Sequence, residues 1–203
     1  MATKNLNELD TEDIELINRD IDLNGDCDEI KYSVCEYLKG NFREIDSEAW
    51  KYLSERMSWN EQFLDKYKDK VNWEMISGND DILWTSSMLE RFKSLINWDE
   101  LSESGNQRTF TAYNLETYYN FWNWKSLSSN SNIRFSLELI DQFIDNWDWE
   151  KLINNRALED FFDGYFLKKY NQYIPASISR ETYLWDSLLE IRENELMNEM
   201  SMT

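Results

Sequence analysis

The chain has 203 residues, with aromatics at 15%, charged residues at 30%, and only 1 Pro and 5 Gly. So many rings can fill a core, which argues against a wholly disordered chain, and so few turn residues argue against sandwiches and barrels. Acids number 40 and bases 21, a net charge of −19 that repels nucleic acid and anionic lipid and attracts basic proteins or cations.

Histidine is absent, so Ser-His triads, Cys-His dyads and His-based zinc sites have no residue to build them. Cys27 and Cys35 make no disulfide framework, which sets a reducing, cytoplasmic compartment as the expectation. The start, Met1 to Asn7, has no apolar signal core, and no stretch approaches the roughly 18 apolar residues of a membrane span.

Taken in chain order, residues 1–49 come first, with 14 acids and 5 bases. Apolar positions Ile14, Ile17, Tyr32, Cys35 and Leu38 suit an acidic helical cap. Inside it, Asp20, Asp22, Asn24 and Gly25 match positions 1, 3, 5 and 6 of an EF-hand loop, with Asp26 and Asp28 as further oxygen ligands. Lys31 at position 12 replaces the bidentate Glu with a cation, so the loop is expected to bind calcium weakly or to serve as a plain Asn-Gly turn.

Residues 50–176 read as a repeat array. Asn-Trp or Asp-Trp pairs recur at Trp73, Trp98, Trp124 and Trp149, spaced 25, 26 and 25 residues apart. Positions below are counted from that Trp. At −14 stand Trp59, Trp84, Phe110 and Phe135; at −9, Leu64, Leu89, Leu115 and Ile140; at −6, Tyr67, Phe92, Tyr118 and Phe143; at −2, Val71, Ile96, Trp122 and Trp147. The 3 and 4 spacing of the last three columns is one face of a helix. Asn60, Thr85, Thr111 and Ser136 at −13 are N-cap residues, and the ring before each suits a hydrophobic staple with the aliphatic at −9. Asn72, Asn97, Asn123 and Asp148 at −1 cap a second helix that buries Ile76, Leu101, Leu127 or Leu152. Near +6, Asn79, Asn130 and Asn155 suit the turn into the next copy. One unit is thus a helix of roughly 11 residues and one of roughly 5.

Trp50-Lys51-Tyr52-Leu53-Ser54 reads as a half copy, and Phe162, Leu167, Tyr170 and Ile174 read as a fifth unit stopped by Pro175. Residues 177–203 read as a C-terminal capping helix. The expected fold is all-α: a solenoid-like stack of about four to five 25-residue two-helix repeats with helical caps. The W-x-x-L-S-x-N unit resembles the Trp-rich helical repeats of large DNA viruses and bacteria, over residues 50–160; that resemblance implies an array of short helices and no activity. Ile153 departs from it where Ser77, Ser102 and Ser128 stand in the other copies.

Three groups of side chains are candidate sites. Nine of the ten Trp fall in repeat columns or the half copy, so they read as core before they read as a carbohydrate platform. Asp65, Glu90, Glu116 and Asp141 at −8 put an acid in every copy, about 100° round the helix from the core aliphatic. They read either as a ladder for a basic groove or as acids favouring the helix dipole and pairing with local Lys or Arg. Asp99, Glu100 and Asp145 add charge near the second helices. Third, Asp20, Asp22, Asn24, Asp26 and Asp28 could hold a divalent ion, calcium by ligand type.

No phosphate loop, Ser elbow or zinc motif is present, so no enzyme and no cofactor are expected. The leading expectation is a non-enzymatic acidic protein that docks on and inhibits a basic, nucleic-acid-binding protein. Small acidic inhibitors that phages make against restriction or CRISPR nucleases share that character by analogy. The alternative is a helical-repeat adaptor in which acid serves solubility and outward aromatics such as Tyr113 and Tyr119 make the contacts.

Overall fold

The structure is a computed structural model that describes residues 45–201. Among them every regular element is helical. The chain divides into two compact units, Met1–Leu83 and Trp84–Thr203.

In the first unit, residues 45–56 form α1, which runs through the boundary expected at residue 49. Then follow α2 (Glu61–Tyr67) and α3 (Trp73–Gly78). The second unit holds α4 (Ser86–Phe92), α5 (Trp98–Glu103), α6 (Ala112–Thr117), α7 (Trp124–Ser129), α8 (Leu137–Gln142) and α9 (Trp149–Leu152). A 3₁₀ turn at Arg156–Phe161, α10 (Gly164–Tyr170) and α11 (Tyr183–Ser201) complete it.

Every expected cap forms. Asn60, Thr85, Thr111 and Ser136 each accept from the backbone N–H three residues on. Asn72, Asn123 and Asp148 do the same for the second helices, and Asn97 accepts from both Asp99 and Glu100. These bonds satisfy N–H groups that a helix cannot pair internally.

The first helices are shorter than the expected 11 residues: 7, 7, 6 and 6. The α-helix stops near position −6, and two turns follow. The −6 carbonyl accepts from the N–H groups of −3 and −2: Tyr67 O from Lys70 and Val71, Phe92 O from Leu95 and Ile96, Phe143 O from Asn146 and Trp147. The second bond is a helical i→i+4 bond, so the −2 side chain still returns to the apolar face. That is why the sequence carries a helical pattern beyond the helix.

The Trp at position zero makes up to three kinds of tie, with all three present at Trp98 and Trp124. Its indole N–H donates to the backbone carbonyl at −5: Trp73 to Lys68, Trp98 to Lys93, Trp124 to Tyr119 and Trp149 to Ile144, at 2.9–3.1 Å. Its own carbonyl accepts from the Ser at +4, as in Trp98–Ser102 at 2.6 Å and Trp124–Ser128 at 2.7 Å. Its ring meets the −6 ring of the following copy: Trp98 on Tyr118 at 5.3 Å, Trp124 on Phe143 at 5.0 Å, Trp149 on Tyr170 at 5.3 Å. Trp50 meets Tyr67 in the same manner at 5.4 Å, which makes the half copy a working member of the pattern. None of the ten Trp is exposed: six are buried and four half-buried.

The Ser at +4 and the Asn near +6 form a buried polar ladder. Ser54, Ser102 and Ser128 accept the backbone N–H of Asn72, Asn123 and Asp148. Asn79 donates to Ser54 O and Met57 O, Asn130 to Ser102 O and Ser104 O, Asn155 to Ser128 O. The Asn oxygens accept from Asp81, Asn132 and Ala157 N–H groups, so these buried amides use both ends. Within the second unit α7 packs between α5 and α9.

Where Ile153 replaces the Ser, the ladder ends. The Leu184 N–H, at the start of α11, donates to Ile153 O at 3.1 Å, and the 3₁₀ turn packs on α11. The fifth unit forms only its first half. Asp163 caps α10, and Tyr170 O accepts from Tyr173 and Ile174 as in earlier copies. Its deep positions are Phe166 and Tyr170, at 1% and 0% exposure, while Leu167, the expected core residue, is half-buried.

Candidate functional site

The four acids at −8 lie on the outward sides of their helices, as the 100° step requires, but most have partners. Asp65 pairs with Lys68 at 3.6 Å and Glu90 with Lys93 at 2.6 Å, both i,i+3. Asp141 reaches Lys169 at 2.6 Å and the Tyr170 hydroxyl at 2.9 Å, 28 and 29 residues on. Lys169 and the Tyr170 hydroxyl hold the Asp141 carboxyl below its ordinary range, against a smaller desolvation effect. Lys169 is raised in turn, chiefly by its hydrogen bond to Asp141. Burial, then the Asp141 bond, raises the Tyr170 phenol.

Glu116 differs. Its neighbour at −5 is Tyr119, where the first two copies have Lys68 and Lys93. It accepts from Gln142 Nε2 at 3.3 Å and forms no ion pair among the described residues. Around it in sequence stand three exposed rings: Tyr113 at 65%, Tyr119 at 42% and Phe121 at 44%. Tyr119 is held in place by its ring contact with Trp124 and by the Asn146 side-chain amide, which donates to its hydroxyl. Phe121 packs one side on Trp98 at 5.1 Å. The nearby Tyr118 phenol is raised, first by burial and then by the Glu90 and Tyr113 charges.

Asp99 is exposed and accepts from Asn123 Nδ2 at 2.8 Å, 24 residues on. Glu100 is half-buried in the first turn of α5, and Asp145 is exposed in the turns after α8. The candidate ion ligands Asp20, Asp22, Asn24, Asp26 and Asp28 lie outside the described residues. Among the described residues no group of three or more acids or cysteines is placed to hold a metal ion. No helix among them is long and apolar enough to cross a membrane.

The column reading of the sequence did not distinguish the third copy from its neighbours. The signal was present: position −5 reads Lys, Lys, Tyr, Ile along the four copies, so the i,i+3 cation disappears where Glu116 stands. No protein family, curated protein or solved structure matches the chain, so the resemblance of its W-x-x-L-S-x-N unit rests on the motif alone.

Proposed function

We propose that the chain is a non-enzymatic protein-interaction module, a solenoid-like stack of short helix pairs that docks on a basic protein. Support for the stacking comes from the Ser and Asn bonds, which join residues about one period apart in both units. Support for the docking comes from one observation: Glu116, which forms no ion pair among the described residues, stands in sequence among exposed Tyr113, Tyr119 and Phe121. Aromatic faces attract Lys and Arg through their quadrupoles, and an unneutralised carboxylate adds a charge-assisted bond. The net charge of −19 speeds encounter with such a partner. In the narrower form of this reading the partner binds nucleic acid, and docking excludes that nucleic acid from its basic groove.

Calorimetric titration of the full chain with an arginine- and lysine-rich 12-residue peptide tests the reading. Binding is expected to fade toward about 0.5 M salt, and the pair Tyr113→Ala with Glu116→Gln is expected to weaken it about tenfold or more. Equal binding by that variant overturns the docking site. The adaptor reading keeps its own support, because Asp65, Glu90 and Asp141 already pair with lysines. In that case Tyr113→Ala alone weakens capture and Glu116→Gln leaves it intact.

A further inference from the structure

The second unit contains a cleft of about 750 Å³, a volume in the range of small-ligand pockets. Its lining includes Arg108 and Arg134, with Phe110 and Leu139 as apolar wall and Gln107 as a neutral donor. Neither guanidinium makes an ion pair, a side-chain hydrogen bond or a ring contact among the described residues. That is notable in a chain with 40 acids against 21 bases. The one carboxylate in the lining is Glu138. Its carboxyl is held below the usual range, chiefly by bonds from its own backbone N–H and from Ser136 in the same lining, so the cleft carries two cations against one anion.

Arg108 lies beside an irregularity in the array, at the position that Asp81 and Asn132 hold in regular copies. Ser102 and Asn106 are four residues apart, where Ser77–Asn79 and Ser128–Asn130 are two apart. The turn bond from Thr109 N to Asn106 O matches those from Ile82 to Asn79 and Ile133 to Asn130. Thr109 thus takes the core place of Ile82 and Ile133, and Arg108, before it, is exposed. Insertions in repeat arrays commonly mark a binding face.

We propose that this cleft binds a monoanionic carboxylate attached to an apolar group. Each guanidinium can grip a carboxylate through two parallel N–H bonds, while exposed Ala112 and the edges that the buried Phe110 and Leu139 present to the cleft accept the apolar part. A net charge of −19 penalises every additional negative charge on a ligand, so a phosphate dianion or a polyanion is disfavoured against a single carboxylate. The cleft adjoins the Glu116 patch, because Gln142 in its lining donates to Glu116, but the proposal does not depend on that reading.

Calorimetry on the full chain would use 3-phenylpropionate, its primary amide, a short peptide ending in Leu-Phe with a free C-terminus, and inorganic phosphate. Both carboxylates are expected to bind and the amide to give no heat. Arg108→Gln and Arg134→Gln are each expected to weaken carboxylate binding about tenfold, the loss typical of a hydrogen bond to a charged group. Tighter binding of the peptide names a peptide C-terminus as the source; tighter binding of phenylpropionate names a free acid. No heat from either carboxylate at millimolar concentration, equal binding of the amide, tighter binding of phosphate, or unchanged affinity in both variants overturns the proposal. Both arginines are exposed, so their replacement leaves the core intact.

Discussion

Two polar columns run through this chain with the same period, one inward and one outward. The inward column is Ser54, Ser77, Ser102 and Ser128, all at 0% exposure. The outward column is Asp65, Glu90, Glu116 and Asp141; where ion-paired, these side chains remain 39–61% exposed. Both look alike as periodic polar letters. They differ in consequence, because an unmade hydrogen bond in the interior costs the full desolvation of the orphaned group, whereas an exposed ion pair exchanges one solvated state for another. Regular spacing shows that a residue faces the same environment in each copy. It does not show whether that environment is protein or water.

The sharpest way to test the inward set is to remove its aromatic support. Trp98→Ala deletes contacts with Tyr118, Phe121 and Trp122 and the bond to Lys93 O. It is expected to lower unfolding free energy by about 3–5 kcal/mol, the usual cost of deleting a buried large aromatic. Urea denaturation reads this as a lower midpoint at an unchanged slope. Asn130→Ala comes next. It strands the Ser102 and Ser104 carbonyls and the Asn132 N–H, which Asn130 now satisfies. A loss of about 2–3 kcal/mol is expected; a loss below about 0.5 kcal/mol would place water where the amide stands.

How far the sequence exposes this plan depends on the range of the interactions. Capping was legible at all eight helix starts because a cap and the N–H it satisfies lie two or three residues apart. The first helices were read too long, because the turn bonds to the −6 carbonyl keep position −2 on the apolar face without a helix. Asn106 was missed because the insertion moves it from +6 to +8, and with it the role of Thr109. Of the candidate site, the acids were legible as a column, while their lysines were only partly so. Lys68 and Lys93 are local partners, but Lys169 is 28 residues from Asp141 and only folding reveals the pair.

Thr109 gives the third prediction, with the opposite sign. It is fully buried and its Oγ1 has no hydrogen-bond partner among the described residues, in a place that Ile82, Ile133 and Leu158 fill elsewhere. Thr109→Val keeps the shape and removes the orphaned hydroxyl. A gain of about 1 kcal/mol is expected in the same urea experiment. A loss of similar size would mean that the hydroxyl meets an ordered water.

The smallest effect belongs to the outward column. Asp141→Asn removes the partner of Lys169 and changes the acceptor offered to Tyr170. Solvent screens a side chain that is 44% exposed, so the loss is expected below about 1 kcal/mol. The pH dependence gives this contact two signatures, in the same directions as those of Glu138 and Tyr118. Because the folded Asp141 carboxyl titrates below its ordinary value, its contribution is present above about pH 4 and disappears as pH falls through the lowered value. The Tyr170 phenol is raised, so its contribution is present below about pH 10 and disappears as pH rises through the raised value. Asp141→Asn should therefore flatten stability against pH at the acid end and bring the Tyr170 titration, followed by ultraviolet absorbance, back toward the ordinary range. If both curves superimpose on the unmodified chain, the Asp141–Lys169–Tyr170 contact does not join these segments in solution, and the outward column is solvated charge from end to end.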